Sequence, residues 1–387
     1  MTDVAVQILL HHLSAPLIAR RSVLLPREAL ETAKLCAALN LNADVLHDGG
    51  AIFGVDNPLI RLEARDADLP DGWRWTTEST PPLPNARPWQ TPGWYAGAWG
   101  RLRAVQPNGL FCQLSTSDLG AVLRAGEGKS AVFLKVGSQE EVRITRALAD
   151  SQPELLPEVL DADPERGELL TCWGGETLEK VSEMRGWLAA AEALAGYHRS
   201  VGVADLPHHP FAELLERGEA LLRDDTSLHG WGMNDEKIAA LSAALPALKR
   251  LWRQVNALQL PDGPVHGDSH PMNALWDGQR ARWFDWSEAA TAHPFTDFGW
   301  FVGHPTRRNW RVHAAEPELS TRLAGTYLDA LGLPGARAEL AAALPLSFLQ
   351  WATVYDARFR HWPEPRPRFA EFYLRWLLAE LRTPSLS

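Results

Sequence analysis

Hydrophobic residues form short runs in the first part of the chain and follow a helical period through most of the remainder. Apolar runs at 6–10 and 22–25 predict strands, and the pattern at 26–38, which begins with a proline, predicts a helix. Together these patterns predict a small α/β extension over residues 1–79. Its role stays open among a lid, a dimerisation surface and a regulatory domain.

A proline-rich segment follows this extension. Four prolines lie within 79–88, and because proline fits neither a helix interior nor a central strand, the segment predicts a linker. A tryptophan-rich helical pattern then runs to Leu102. We interpret residues 80–108 as this linker and a docking helix.

Residues 109–173 have the pattern of a small β-rich lobe. Strand-like runs lie at 110–115, 120–124, 131–136 and 169–173. A helical pattern at 139–149 interrupts them, and residues 174–387 are mostly helical by period. The predicted fold is therefore α+β, with a small β-rich lobe followed by a large helical lobe.

Composition narrows the class of protein. A chain of 387 residues, 45% of them hydrophobic, can bury a large core. A formal net charge of −10 argues against a general nucleic-acid binder, and no apolar run approaches the roughly 18 residues that a membrane helix needs. The start lacks the basic region of a signal peptide, and the three cysteines have neither metal-ligand nor disulfide spacing. The simplest interpretation is a cytoplasmic protein without nucleic-acid or membrane partners.

One loop carries the candidate chemistry. His266-Gly267-Asp268 is followed by Asn273, five positions after the aspartate, and by Asp285, twelve positions further on in an apolar run. One carboxylate can orient or accept the proton of a hydroxyl, while an amide and a second carboxylate can hold Mg²⁺. This order and spacing predict phosphoryl transfer.

A hydrolase interpretation uses the same residues differently. His266, Asp268 and His270 can be drawn as metal ligands of a phosphoesterase. Such sites need further ligand motifs, and neither an Asp-x-His nor a Gly-Asn-His motif occurs where one is required. The hydrolase therefore stays an alternative with less support.

A single lysine in an apolar strand supports the transferase. Lys135 lies within 131–136, and an unpaired ammonium in a buried strand is costly to desolvate. Glu140 and Glu141 open the helix that follows. We choose Glu141 as the partner, because it shares a helix face with the apolar positions three and seven residues later.

These residues resemble the aminoglycoside phosphotransferase and choline kinase group. That group has a His-Gly-Asp-x-x-x-x-Asn loop followed by an aspartate in an apolar strand, and the resemblance covers roughly 110–375. It implies a two-lobed protein-kinase-like fold, preceded here by the α/β extension, with ATP and Mg²⁺ as cofactors. It also implies a small-molecule hydroxyl as acceptor.

The resemblance assigns roles to individual positions. Asp268 is the implied proton acceptor, and Asn273 and Asp285 are the implied ligands of Mg²⁺. His266 is implied to brace the loop through hydrogen bonds, and Asp297 to cap or brace the large lobe, with a third metal ligand as the alternative role of Asp297. The positions implied to bind ATP are Lys135, Glu141, Thr171, Cys172, Trp173 and Ser117.

Acceptor recognition is expected in the helical lobe, at 208–235 and 351–362. Acidic and aromatic side chains there favour an amine-bearing acceptor, and they are Trp231, Asp235, Tyr355, Asp356 and Trp362. The acceptor itself, the preference for ATP over GTP and the oligomeric state stay open. A catalytically silent pseudokinase is the non-enzymatic alternative, although a binding module would be free to lose any of the catalytic residues.

Overall fold

The computed structural model describes residues 92–107, 111–116, 120–308, 318–361 and 369–386, four short strands before residue 64, and positions 89, 312 and 316. The helix predicted at 26–38, the linker at 79–88, Ser117 and Trp362 lie outside the described residues. The chain forms two compact units. The first contains Met1–Val142 and Leu160–Trp173, and the second contains Arg143–Val159, Gly174–Glu364 and Arg368–Ser387.

Two antiparallel sheets make up most of the first unit. The strands of the first sheet, in the spatial order β1-β2-β4-β3, are β1 (Gln7–His11), β2 (Arg20–Leu24), β3 (Asn42–Val45) and β4 (Leu59–Glu63). The strands of the second, in the order β5-β6-β7-β9-β8, are β5 (Phe111–Thr116), β6 (Ala121–Ala125), β7 (Val132–Val136), β8 (Val159–Asp163) and β9 (Glu168–Cys172). The predicted strands at 6–10, 22–25, 110–115, 120–124, 131–136 and 169–173 are confirmed within one or two residues.

Strand β8 was missed by the sequence pattern. It is the outermost strand of its sheet, and its residues are partly or fully exposed. An exposed edge strand has no reason to alternate apolar and polar residues, so the period-two signal is absent.

A helix docks on the second sheet through buried contacts. Helix α1 (Pro92–Val105) buries Ala98 and Leu102 against the apolar face of the sheet. The carboxylate of Glu168, 6% exposed, accepts a hydrogen bond from Trp94 Nε1 at 2.8 Å and pairs with Arg101 Nη2 at 2.8 Å. The docking helix predicted up to Leu102 is therefore present.

We expect Glu168→Ala to lower the free energy of unfolding by about 1–3 kcal/mol, because a buried indole donor and a guanidinium lose their common acceptor. The measurement is the urea midpoint of the full chain, with Glu165→Ala as the control at an exposed position. Equal midpoints for the two variants would contradict the docking role of Glu168.

The second unit is helical around a large apolar core. Helix α2 (Gln139–Ser151) begins in the first unit and continues into the second. The other helices are α3 (Met184–His198), α4 (Leu214–Leu222), α5 (Asp225–Gly230), α6 (Asp235–Asn256), α7 (Pro294–Arg308), α8 (Leu319–Leu331), α9 (Arg337–Phe359) and α10 (Phe369–Arg382). Several tryptophans are fully buried among them, which agrees with a packing role. None of the helices in the described ranges is long and apolar enough to cross a bilayer.

Short strands in this unit position the candidate loop. One sheet has the order β10-β12-β13, and the other pairs β11 with β14. The strands are β10 (Glu176–Thr177), β11 (Gly263–Val265), β12 (Ala274–Trp276), β13 (Ala281–Trp283) and β14 (Ala290–Ala292). Strand β11 ends where the His-Gly-Asp loop begins, and β12 begins where that loop ends.

Candidate active site

A short hairpin brings Asn273 and Asp285 to the same end of a sheet. Strands β12 and β13 pair with Ala274 opposite Trp283. Beyond this pair, the backbone N–H of Phe284 donates to the Asn273 carbonyl at 3.0 Å. Asn273 immediately precedes β12, and Asp285 follows Phe284, two positions after the end of β13, so both lie at the same end of the ladder. The twelve positions that separate Asn273 from Asp285 in the sequence are accounted for by this hairpin.

The loop before the hairpin ties Asn273 to Asp268. The amide nitrogen Nδ2 of Asn273 donates to the backbone carbonyl of Asp268 at 2.9 Å and to its Oδ2 at 3.2 Å. The His270 N–H also donates to the Asp268 carbonyl, at 2.8 Å. Because the amide nitrogen of Asn273 faces Asp268, the amide oxygen of the same side chain is directed away from Asp268.

The Asp268 carboxylate is held on both oxygens. Trp300 Nε1 donates to Oδ1 at 2.9 Å, and His270 Nε2 lies 3.3 Å from Oδ2. Burial alone would raise the pKa of Asp268, but His270 and the hydrogen bond from Trp300 outweigh it and hold the pKa below its ordinary value. The carboxylate is ionised at neutral pH, and 22% of the side chain is exposed. It is oriented and accessible, as a proton acceptor must be.

His266 braces the loop through both ring nitrogens. Nε2 donates to the Phe284 carbonyl at 2.9 Å, and Nδ1 accepts from the Asp268 N–H at 3.2 Å. Burial lowers the pKa of His266, so the ring is neutral with its proton on Nε2. Since both nitrogens are engaged, His266 is not placed as the metal ligand that a phosphoesterase would need.

Asp297 also braces the loop, from helix α7. Its fully buried carboxylate accepts from the backbone N–H groups of His266 and Gly267, each at 2.9 Å. His198 Nε2 donates to the same carboxylate at 3.0 Å, and its Nδ1 contacts the hydroxyl of Tyr327 at 2.8 Å. Both oxygens are thus occupied in holding the loop, so a third metal-ligand role for Asp297 is not supported.

Asp285 lies in an uncommon backbone conformation. Its φ and ψ are both 64°, in the left-handed region that non-glycine residues seldom adopt. The Ser287 hydroxyl donates to Asp285 Oδ1 at 3.0 Å. A non-glycine residue held in this region is frequently part of a functional site.

The donor set fits Mg²⁺. Asn273 offers an amide oxygen and Asp285 a carboxylate, and Mg²⁺ takes hard oxygen ligands while it keeps several waters. The part of the chain that the structure describes contains no cluster of three or more His, Cys, Asp or Glu side chains suited to a metal. A site of one carboxylate and one amide is compatible with that finding.

The predicted ion pair is present in the first unit. Lys135 Nζ, on the central strand β7, lies 2.6 Å from Glu141 Oε1. Glu141 is 3% exposed, and its backbone N–H donates to the Ser138 hydroxyl oxygen at 3.0 Å. Glu140 is exposed, as expected from the helix face that the sequence assigned.

Three of the residues implied to bind ATP lie at the end of β9, the strand beside β7, or directly after it. Cys172 pairs with Val132, and the Trp173 N–H donates to the Ala131 carbonyl at 2.9 Å. Thr171, Cys172 and Trp173 are all partly exposed. Their role in nucleotide binding stays a prediction, as does that of Ser117.

Two of the residues expected to line the acceptor walls, Trp231 and Asp356, are buried and paired with each other. Trp231 is fully buried, and its Nε1 donates to Asp356 Oδ1 at 2.7 Å. Arg360 Nη2 donates to the other oxygen of Asp356 at 2.6 Å. Asp356 is 5% exposed, so it is a core carboxylate and is not available to an amine. Asp235 is exposed at the start of helix α6.

Four side chains near Asp268 were not among those predicted for the transferase site. Trp300 and His270 hold its carboxylate, and Glu288 and Arg358 form an ion pair beside the same loop. For Glu288, the one signal in the sequence is an acidic residue three positions after Asp285.

Comparisons with known proteins identify the family of this chain. The sequence profile of the phosphotransferase enzyme family matches residues 122–346. A comparison with curated proteins finds no significant match.

Solved structures with the same fold include a choline/ethanolamine kinase family protein and two choline kinases. A choline/ethanolamine kinase family protein from Mesorhizobium loti is 18% identical, with a TM-score of 0.53 over 76% of this chain and 96% of that one. The choline kinase of Streptococcus pneumoniae is 16% identical, with a TM-score of 0.51 over 75% and 99%. That of Cryptosporidium parvum is 13% identical, with a TM-score of 0.53 over 74% and 94%. The likeness shows the α+β protein-kinase-like fold, and the profile match extends over more than half of the sequence: this chain belongs to the phosphotransferase enzyme family.

Proposed function

We propose that the protein is an ATP-dependent kinase that moves the γ-phosphate of Mg-ATP to a hydroxyl of a small molecule, with Asp268 as the proton acceptor. The observation that carries this assignment is the ionised, partly exposed Asp268 carboxylate, held by Trp300 and tied to Asn273 in a phosphotransferase family member. Family membership supports the transferase and gives no support to the pseudokinase or the phosphoesterase.

Asp268 would act on the acceptor hydroxyl. Its lowered pKa makes it a weak base, so it orients the hydroxyl by accepting a hydrogen bond before any proton moves. Phosphoryl transfer has a loose transition state, in which the new O–P bond is little formed and the proton can leave late. Positioning by a fixed carboxylate therefore suffices.

The other residues predicted for the site would hold the nucleotide. Asn273 and Asp285 are the proposed ligands of Mg²⁺, which when bound neutralises charge on the terminal phosphates. Lys135 would contact the phosphates, with Glu141 fixing its ammonium. Adenine is proposed to lie against 171–173, and Ser117 is proposed to belong to the phosphate-covering loop.

The test is an ATP-dependent screen of hydroxyl-bearing compounds that detects ADP and the phosphorylated product separately. The Asp268→Asn protein serves as the blank. Transfer that needs both ATP and Asp268 is the expected result. Release of phosphate from esters without ATP would favour the hydrolase, and Mg-ATP binding without transfer to any compound would favour the pseudokinase.

The ion pair gives a separate prediction. Glu141→Gln should raise the KM for ATP by about threefold to tenfold, because Lys135 loses a charge-assisted hydrogen bond and is less well fixed. Glu140→Gln is the matched control, one position away on the exposed face. Equal KM values for the two variants would remove Glu141 from nucleotide binding.

A further inference from the structure

An ion pair lies against the residue that precedes Asp268. Glu288 Oε1 and Arg358 Nη1 are in contact, with the Glu288 side chain 10% exposed and the Arg358 side chain 43% exposed. Gly267 has a φ of +85°, and a Cβ there would overlap the Glu288 carbonyl oxygen. The segment bearing Glu288 therefore passes directly beside the catalytic loop.

Three aromatic rings form a series of contacts from Asp268 to Arg358. Trp300, which donates to Asp268, lies 4.7 Å from Tyr373 between ring centroids. Tyr373 stacks on Tyr355 at 5.4 Å, and the guanidinium carbon of Arg358 lies 5.5 Å from the Tyr355 centroid. These contacts form an aromatic wall, Trp300, Tyr373 and Tyr355, that leads from the proton acceptor to Arg358.

Charges in this region act on one another. Burial raises the pKa of Glu288 to about 7; Arg358 opposes this shift, and the negative charges of Asp268 and Asp285 add to it. Burial also raises the pKa of Tyr373, and Asp268 and Glu288 raise it further. Glu288, Arg358 and Asp268 thus belong to one electrostatic neighbourhood.

We propose that Arg358, oriented by Glu288, recognises an anionic group on the hydroxyl-bearing acceptor. This inference rests on the proposed function and names the substrate class of the same site. The ligand chemistry is an oxyanion, carried by a carboxylate or by a phosphate ester. Arg358 is a specificity residue in this proposal, and Asp268 still acts on the hydroxyl.

The residues around Arg358 disfavour an amine group of the acceptor beside them. An ammonium group needs an available carboxylate or an open aromatic face. The nearby carboxylate, Glu288, is paired and nearly buried, and the faces of Tyr355 and Phe359 already carry the guanidinium of Arg358. The more exposed partner of this ion pair is Arg358, at 43% against 10% for Glu288, and its charge is positive.

Arg358 has donors to spare for an oxyanion. A guanidinium presents five N–H donors in a planar fork, and its contact with Glu288 uses Nη1. The aromatic rings below restrict its rotation, so little side-chain freedom is lost when an anion binds. Glu288 fixes the guanidinium and moderates its charge.

The experiment compares acceptors that differ only in charge. Initial rates are measured with glycerol, 3-amino-1,2-propanediol, glycerate and glycerol 3-phosphate, and with hydroxy acids, amino alcohols, sugar acids and sugar phosphates of four to six carbons. The carboxylate and phosphate arms distinguish the two sources of the anion. We expect kcat/KM for anionic acceptors to exceed that for neutral and cationic ones by at least about tenfold, the effect of one charge-assisted contact.

Variants separate recognition from chemistry. Arg358→Gln should raise the KM for anionic acceptors by about tenfold with little change in kcat, and Arg358→Lys should have a smaller effect because it keeps the charge. Arg375→Gln is the control, an exposed arginine that pairs with Glu371 on helix α10. Thermal unfolding checks that each variant is folded, and Arg358→Lys replaces Arg358→Gln if the latter is not.

Three results would overturn the inference while leaving the kinase intact. They are a preference for neutral or cationic acceptors, a fall in kcat for every acceptor with unchanged acceptor KM in Arg358→Gln, and failure of all anionic acceptors although Mg-ATP binds and another hydroxyl compound is phosphorylated. The second would place Arg358 on the transferred phosphate. If calorimetry finds no Mg-ATP binding and no compound is phosphorylated, the proposed function fails, and the inference with it.

Discussion

Asp268→Asn should lower turnover by about 10²–10⁴-fold and leave the affinity for Mg-ATP close to that of the unchanged protein. Asparagine keeps the size of the side chain and an oxygen for the Trp300 N–H, but it loses the charge that accepts a proton. The effect therefore falls on the chemical step. Single-turnover rates and calorimetric titration with Mg-ATP measure the two parts separately.

The matched control is Asp329→Asn, at an exposed position near the end of helix α8. Its turnover should equal that of the unchanged protein. A full rate in Asp268→Asn would refute the assigned proton acceptor. An equal loss of Mg-ATP affinity and turnover would instead place Asp268 in nucleotide binding.

The pH dependence follows from the lowered pKa of Asp268. A carboxylate whose pKa lies below its ordinary value of 3.8 is ionised above that pH, and its function is lost as pH falls through the lowered pKa. We expect no decline in kcat/KM attributable to Asp268 between pH 8 and about 5. The measurement is a pH–rate profile under conditions where the protein stays folded.

Local relationships were predictable from the sequence. Lys135 and Glu141 are six residues apart, and burial of one helix face was enough to choose Glu141 over Glu140. Asn273 and Asp285 were predictable for a similar reason, because one hairpin determines their separation. In both cases a short segment fixes the geometry.

Distant contacts were not predictable. Trp300 meets Asp268 across 32 positions, and Arg358 meets Glu288 across 70. Such pairs depend on tertiary packing, which the hydrophobic periodicity of a single sequence does not reveal. The proposed site for an anion is made of these long-range contacts, which explains why residue types alone suggested an amine.

The acceptor wall shows the same limit. Trp231 and Asp356 have side chains suited to ligand recognition, but their burial against each other satisfies the indole N–H and the carboxylate within the core. Helix α9 is buried over most of its surface, so its sequence has no polar face that would distinguish inside from outside. Residue type indicated the chemistry, and burial decided whether it is available.

Asp285→Asn should weaken the binding of Mg²⁺ and so raise the Mg²⁺ concentration for half-maximal activity by about 10–100-fold. Asparagine is chosen because it tolerates the left-handed backbone at φ 64° better than alanine does, so the fold of the loop is kept and the anionic ligand is removed. The readout is a Mg²⁺ titration at fixed ATP.

Binding of ATP without Mg²⁺ separates a metal role from a structural one. It should be unchanged in Asp285→Asn, because the proposed contact runs through the metal. Ser287→Ala, which removes the hydroxyl that donates to Asp285 Oδ1, should shift the Mg²⁺ requirement in the same direction by a smaller factor. An unaltered Mg²⁺ requirement in Asp285→Asn would exclude the Asp285 carboxylate as a ligand. Because Asn273 lies at the same end of the hairpin, the same result would also remove the geometric reason for placing Mg²⁺ at that end.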